Sequence, residues 1–171
     1  MTMNTSTLET LIDKDKINDL LHKYLDGLDT RNWEQVASVF TRPFHLQAVM
    51  LDVDRELQPE DYLGLGPQRF LPGFDFTAHL CSNTSITIDG SEAHLKTKLL
   101  ACHHTEPDDA INSHQLSAPA GSYYCNMHMP WEGWLTRQDD GSWLIRKFRM
   151  SVSAVEGDTT AFEIARTRTG G

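Results

Sequence analysis

Three residues far apart in the chain combine side-chain types that could move protons. Asp29 lies at the end of an amphipathic stretch, His79 precedes a long extended stretch, and His103 lies near the end of the next one. A carboxylate that pairs with an imidazole fixes its orientation and raises its pKa, so such a pair can take up and release a proton near neutrality. Convergence of the three side chains in an apolar pocket would therefore create an acid–base site.

Each of these residues also has a structural interpretation. Period-two alternation along residues 93–103 places His103 on the apolar face of a strand, where it could be a core histidine that donates to a backbone carbonyl. His79 alone could be a solvent-exposed histidine at a strand end. Asp29 could be the N-cap of a second helix, a position that suits aspartate.

Glu132 is a further catalytic candidate because tryptophans lie on both sides of it. Apolar surroundings raise the pKa of a carboxyl group, which could then serve as an acid; an exposed strand glutamate is the alternative. Pro130 interrupts this stretch and would allow a bulge, which leaves the facing of its side chains open. The residues predicted to bind substrate are aromatic, aliphatic or polar side chains of the same region and of the helices: Tyr24, Tyr62, Phe74, Leu99, Asn126, His128 and Trp131.

We expect no metal and no cofactor. The HExxH pattern is absent, and His103 and His104 are adjacent on a strand, so they point to opposite faces and cannot chelate one ion together. A GxSxG nucleophile motif is also absent. The GLG at residues 64–66 lacks the strand–turn–helix setting of a phosphate-binding loop. The sequence therefore predicts chemistry carried by side chains alone.

The N-terminal part of the chain has helical patterning. Apolar residues from Leu8 to Leu28 fall at helical spacing and predict one long helix with an apolar stripe. A short second helix follows and is predicted to end before Pro43. Residues 44–51 are typical of a strand, and Pro59 at a first helical position predicts another short helix.

The rest of the chain has the patterning of long strands. Asp89-Gly90 joins two of them and is a strong hairpin signal. The predicted strands cover residues 79–88, 92–104, about 122–137 and 142–153. Helices followed by antiparallel strands indicate an α+β domain, and long strands with one apolar face would curl around the helices and leave a pocket. We expect the loop over residues 105–121 to cap that pocket and a short helix to form near Thr159–Arg166.

The composition excludes several classes of function. The chain has 171 residues, of which 39% are hydrophobic, which suits one globular domain. Its formal net charge of −9 argues against binding to nucleic acid and gives no attraction to anionic membranes. Three cysteines without a CxxC pair, and a polar start without a signal-peptide pattern, predict a reducing, cytoplasmic location.

A resemblance to a known superfamily is carried by three stretches: YLDGLDTRNWEQVASVF, FTAHLCSNTSITIDGSEAHLKTKLLACHH and GWLTRQDDGSWLI. They resemble the SnoaL-like polyketide cyclases and dehydratases over roughly residues 8–153, with residues 154–171 as a tail of the same single domain. The resemblance implies the nuclear transport factor 2-like fold. In this cone-shaped α+β barrel, a curved antiparallel or mixed sheet wraps around N-terminal helices and encloses a pocket. It also implies a homodimer or homotrimer.

Within that superfamily the site resembles scytalone dehydratase. Its catalytic aspartate falls on Asp29, and its two catalytic histidines fall on His79 and His103. Two tyrosines of that enzyme, understood to hold a water that polarises the substrate carbonyl, have no counterpart, because Leu28 and residues 47–49 occupy their places. The substrate is therefore expected to differ from scytalone.

Three hypotheses of function follow. The first is a cofactor-independent acid–base enzyme, a dehydratase or cyclase of natural-product biosynthesis, that acts on a small apolar oxygenated metabolite. In it His103, oriented by Asp29, exchanges a proton with the substrate and His79 is the partner acid or base. The second is an epoxide-opening cyclase or hydrolase with Glu132 as the acid. The third is a non-catalytic ligand-binding or assembly module, since the superfamily contains such proteins.

Overall fold

A computed structural model describes residues 5–106 and 121–170, so most of the predicted capping loop lies outside the described residues. Within the described ranges the chain forms five α-helices and seven β-strands. The helices are α1 (Thr5–Asp29), α2 (Trp33–Ala37), α3 (Pro59–Leu65), α4 (Pro67–Phe70) and α5 (Thr160–Arg168). The strands are β1 (Phe40–Ala48), β2 (Val53–Leu57), β3 (Phe76–Asp89), β4 (Glu92–Thr105), β5 (Tyr123–Arg137), β6 (Trp143–Met150) and β7 (Ala154–Gly157).

All the described strands belong to one curved sheet in the order β2-β1-β6-β5-β4-β3, with β7 paired to β5. β1 and β6 run parallel, and every other pair is antiparallel, so the sheet is mixed. The sheet stays open because β2 and β3 are its two edges. The predicted α+β class, with N-terminal helices against a curved sheet, is confirmed.

The apolar face of helix α1 enters the core only from the middle of the helix onward. Its buried hydrophobic residues are Ile17, Leu21, Tyr24, Leu25 and Leu28, which recur at helical spacing and belong to the main core. Three apolar residues at its start, Leu8, Leu11 and Ile12, are about half exposed at 50%, 51% and 46%. The apolar stripe predicted from Leu8 therefore contacts the core only in its C-terminal half, which is the half that ends at Asp29.

Strands β4 and β5 pair without a break, from Glu92 opposite Thr136 to Thr105 opposite Tyr123. Side chains along them consequently alternate strictly between the two faces. On β4 the alternate residues from Ala93 to Thr105 are buried, which includes His103. The bulge considered near Pro130 does not form against β4, so the facing of every β5 side chain follows from position alone.

Several sequence-based boundaries were wrong. Pro43 lies inside β1, because β1 begins at Phe40 beside β6. Residues 49–51 form a 3₁₀ turn instead of extending that strand. Neither the edge strand β2 nor the four-residue β7 was predicted, since both are short and mostly exposed and carry no alternating apolar pattern.

The C-terminal segment packs tightly against the rest of the domain. Ala161 and Ala165 of α5 are fully buried. Gly73 lies so close to this helix that a Cβ added to it would sit 2.0 Å from the carbonyl oxygen of Ala165. Arg168 donates to the Gly73 carbonyl at 3.1 Å and to Asp75 Oδ2 at 2.7 Å. The tail is therefore part of the folded domain. None of the described helices is both long and apolar enough to cross a membrane.

The approach of Gly73 to α5 gives a stability test. Gly73→Ala should lower the free energy of unfolding by about 1–3 kcal/mol, because the new methyl group collides with backbone that cannot move aside cheaply. Gly64→Ala is the matched control: an added Cβ there meets nothing within 4 Å, and alanine favours helix α3. Urea unfolding of both variants measures the difference, and equal stabilities would contradict the contact.

Candidate active site

The candidate site is a cavity of about 300 Å³ between α1, the inner face of the sheet and α5. Its walls are mostly aromatic and aliphatic, with two imidazoles and two phenols as the polar exceptions. The lining residues are Tyr24, Leu28, Met50, Leu51, Tyr62, Gly66, Pro67, Phe70, Leu71, His79, Leu99, Ala101, His103, Met127, Met129, Trp131, Met150 and Phe162. A small, largely apolar ligand with a few polar groups fits such walls.

Asp29, the last residue of α1, is bound to β3 by three hydrogen bonds. Its Oδ1 accepts from His79 Nδ1 at 2.6 Å and from Thr77 Oγ1 at 3.1 Å, and its Oδ2 accepts from the backbone N–H of His79 at 2.8 Å. The carboxylate therefore fixes both the backbone and the ring of His79. In the neutral imidazole, this contact places the proton on Nδ1 and the lone pair on Nε2.

The hydrogen bonds keep Asp29 ionised. Burial alone raises the pKa of the Asp29 carboxyl, but the bonds from His79 and Thr77 outweigh burial and hold the pKa below its ordinary value. They also compensate for the position of a negative charge at a helix C-terminus, where the helix dipole disfavours it. The predicted capping alternative is wrong, because Asn32 caps α2 by accepting from the Gln35 N–H at 3.1 Å.

Arg31 and Thr77 support this carboxylate and were not predicted. Arg31 adopts a left-handed backbone conformation with φ of 60°, which turns its guanidinium back under the end of α1. Its Nη1 donates to Thr77 Oγ1 at 2.6 Å and to the carbonyl oxygens of Leu28 and Asp29 at 2.8 and 3.1 Å. Strand alternation could have indicated Thr77, two residues before His79, but no pattern indicated Arg31.

His103 is held by a different partner. Its Nδ1 donates to the carbonyl oxygen of Cys125 at 3.1 Å, and the rings of Phe74 and Phe162 each lie 4.8 Å from its ring. Burial, with a smaller contribution from the charge of His79, lowers the pKa of His103 to about 4. At neutral pH His103 is therefore an uncharged acceptor through Nε2. The expectation that Asp29 orients His103 is wrong, since Asp29 pairs with His79.

The two imidazoles face the same cavity. Their ring centroids are 5.9 Å apart and their planes are nearly perpendicular, at 87°. Each ring uses Nδ1 for a protein contact, so Nε2 is the nitrogen that remains for a ligand. The site can therefore present one carboxylate-paired base and one neutral hydrogen-bond acceptor to the same small molecule.

The structure separates the predicted substrate-binding residues into two groups. Tyr24, Tyr62, Leu99 and Trp131 line the cavity. Phe74 does not line it, but it packs against the ring of His103. Asn126 and His128 lie on the outer face of β5, beside β7, where His128 approaches Glu156 at 3.1 Å. These two residues are therefore removed from the predicted site.

Glu132 is also removed from it. Strand alternation places Trp131 inside and Glu132 outside, where Glu132 Oε1 accepts from Arg149 at 2.8 Å and Oε2 lies 3.4 Å from His94 Nε2. Burial raises the pKa of the Glu132 carboxyl, but Arg149 and His94 outweigh it, and the net pKa lies below its ordinary value. An acid that opens an epoxide must reach the ligand and carry a proton, so the predicted role of Glu132 is wrong.

No metal-binding group of three or more His, Cys, Asp or Glu side chains occurs within residues 5–106 and 121–170. Asp29 and the two histidines are arranged as a pair and a separate ring, each with its own protein partner.

Comparison with known proteins agrees with this architecture. The family model of the SnoaL-like domain matches residues 9–149. The chain belongs to the SnoaL-like domain family. No curated protein matches the sequence.

Solved structures similar to this SnoaL-like protein share its fold at low identity. A type 2 hexachlorocyclohexane dehydrochlorinase has a TM-score of 0.70 and 17% identity over 89% of this chain and 93% of its own. A scytalone dehydratase-like protein from Novosphingobium aromaticivorans has a TM-score of 0.66 and 18% identity over 88% of this chain and 90% of its own. A nuclear transport factor 2-like protein with a cystatin-like fold from the same organism has a TM-score of 0.66 and 13% identity over 93% of this chain and 92% of its own. They establish the nuclear transport factor 2-like fold.

The buried, neutral state of His103 predicts a dependence of stability on pH. The folded-state pKa of about 4 lies below the ordinary 6.5, so the unfolded chain binds this proton more readily. The stabilisation is complete above pH 6.5 and is lost as the pH falls towards 4, by about 3 kcal/mol in total. Urea unfolding between pH 7.5 and 4 should show a shallower loss for His103→Gln. Parallel curves for the two proteins would refute the buried neutral imidazole.

Proposed function

We propose that this protein is a cofactor-independent lyase that catalyses elimination, with dehydration as the leading reaction, on a small apolar oxygenated substrate. The observation that carries the proposal is the 2.6 Å contact between His79 Nδ1 and Asp29 Oδ1 at the wall of an apolar cavity that also holds His103. A base fixed by a carboxylate at the wall of an apolar pocket is suited to the removal of a proton from carbon.

The path of the proton follows from the ring nitrogen of His79 that is not bonded to Asp29, which is Nε2. His79 Nε2 takes a proton from a substrate carbon, and the Asp29 carboxylate stabilises the imidazolium that forms. The C–H electron pair becomes the new C=C bond, and the neighbouring C–O bond breaks with its electrons going to oxygen. His79 Nε2 then gives the same proton to the departing hydroxide, which leaves as water.

His103 has a supporting part in this scheme. Since its pKa is about 4, it carries no proton to donate from Nε2 at neutral pH. Its Nε2 lone pair can accept a hydrogen bond from a substrate O–H group and so hold the substrate against His79. The roles are thus exchanged relative to the sequence-based hypothesis, in which His103 moved the proton.

The names of two structural relatives support elimination as the reaction type. One is a hexachlorocyclohexane dehydrochlorinase and another is a scytalone dehydratase-like protein, and both names describe the loss of a small molecule with formation of a double bond. Sequence identities of 17% and 18% support a shared fold, and they do not identify the substrate.

A small panel of compounds tests the reaction. 4-Hydroxy-4-phenylbutan-2-one loses water to give a conjugated enone that absorbs in the near ultraviolet, and γ-hexachlorocyclohexane loses hydrogen chloride, measured as released chloride. We expect product from at least one class at rates above those of His79→Ala. Wild-type rates equal to those of His79→Ala throughout, with ligand binding retained, would instead favour the non-catalytic binding module.

Paired variants test the assignment of the base. His79→Ala and Asp29→Asn should each lower kcat by roughly 10²–10⁴-fold, because the proton acceptor or its orientation is lost. The controls are His94→Ala and Glu132→Gln, which disrupt a second histidine–carboxylate contact on the outer face of the sheet and should leave kcat within about twofold of wild type. Equal losses in the inner and outer pairs would indicate general destabilisation and contradict the assignment.

A further inference from the structure

Two buried phenols in the cavity share a single short contact. The hydroxyl oxygens of Tyr24 on α1 and Tyr62 on α3 are 2.6 Å apart, and both residues are 2% exposed. Both side chains line the same cavity as the imidazoles. Neither of them occupies the positions where the scytalone dehydratase pattern has its tyrosines, which are Leu28 and residues 47–49 here.

Counting hydrogens shows that this pair has a donor to spare. Two hydroxyl groups carry two protons, but a single O···O contact uses only one of them. Among the described residues no acceptor takes the second proton. Burial raises the pKa of Tyr24 to about 12 and that of Tyr62 well above its ordinary value, so both groups keep their protons.

Trp131 adds a second donor to the same cluster. Its ring lies 6.0 Å from that of Tyr24, it is 1% exposed, and its Nε1–H makes no well-aligned hydrogen bond among the described residues, although it lies close to the Tyr24 hydroxyl. A buried N–H group without a well-aligned acceptor destabilises the protein. A spare O–H and a poorly paired N–H next to an apolar cavity are the complement of a ligand atom that only accepts hydrogen bonds.

The surroundings specify an uncharged acceptor. Lys, Arg, Asp and Glu are all absent from the described lining of the cavity, so a carboxylate or phosphate would enter without a counter-ion. A hydroxyl group of the ligand would bring a further proton to a cluster that already has too many. A carbonyl oxygen satisfies both conditions.

We propose that the Tyr24–Tyr62 pair, with Trp131 beside it, is a donor subsite that binds the carbonyl oxygen of an apolar ketone. The inference deepens the proposed function by naming the substrate class, and it rests on that function for the reaction, although binding at the subsite is independent of turnover.

The register of the sheet separates the backbone positions of Trp131 and His79. His79 lies opposite Ala101, and Trp131 lies opposite Thr97, four residues earlier in β4. Four residues of strand span about 13 Å between backbone positions. The subsite and the base therefore lie at different places along the sheet, and we expect an elongated ketone, such as one conjugated through a ring, to reach both.

Binding of a non-reacting ketone tests the subsite. Indan-1-one is the probe and indane, which lacks the oxygen, is the reference ligand. On binding to the wild-type protein, the C=O stretch of indan-1-one should move to lower wavenumber in infrared difference spectra, and the ketone should bind about tenfold more tightly than indane. Both effects should shrink severalfold in Tyr24→Phe/Tyr62→Phe, in which the Trp131 Nε1–H is the donor of the subsite that is left. The double variant is needed because a single phenol would still have a proton to donate.

The controls separate the subsite from the fold and from the reaction. Tyr124→Phe, an exposed tyrosine of β5, should behave as wild type. His79→Ala should keep the carbonyl shift, so a protein that binds the ketone but turns over nothing would refute the proposed function and leave the subsite standing. An unshifted carbonyl in the wild-type protein, no binding of indan-1-one, or a shift of wild-type size in a folded double variant would each overturn the subsite.

Discussion

The Asp29 carboxylate is the one charge on which the geometry of the site depends. It ends α1 at the cavity wall and accepts three hydrogen bonds from β3, two of which come from His79 itself. A partly buried carboxylate without partners would be costly, whereas one that accepts from every direction stays ionised and rigid. Arg31 and Thr77 extend this network behind it. The helix end, the strand and the orientation of the imidazole are therefore fixed by one interaction.

The same geometry makes the two histidines unequal. Their rings are 5.9 Å apart in an apolar cavity, and two positive charges at that separation would repel each other. The protein removes this conflict by placing the carboxylate on His79 and a backbone carbonyl, with two phenyl rings, on His103. Only His79 is then placed to take up a second ring proton, so in the proposed elimination this single group both removes and returns the proton.

The sequence predicts well on which face of the sheet a side chain lies, and it predicts poorly which other side chain it contacts. Period-two alternation places His103 inside because β4 pairs regularly, but alternation does not say which inward side chain meets the end of a helix. That depends on where β3 runs relative to α1, so the Asp29–His79 pair was missed. Glu132 was misjudged because tryptophan neighbours in sequence lie on the opposite face of a strand from it. The short helix predicted near Thr159–Arg166 forms as α5, but its tight packing was not predicted, because it is anchored by Ala161 and Ala165, whose small side chains give a weak hydrophobic signal.

The C-terminal segment has a consequence for the chemistry as well as for packing. The SnoaL-like family match covers residues 9–149, whereas Phe162, which covers the ring of His103, lies in α5 beyond it. Desolvation is the largest cause of the lowered pKa of His103, and Phe162 contributes part of it. A related domain with both histidines but without this helix would have a more hydrated second imidazole, with a pKa closer to its ordinary value, and could use it as an acid. The segment beyond the family match therefore helps to determine that His103 Nε2 accepts a hydrogen bond at neutral pH and does not donate one.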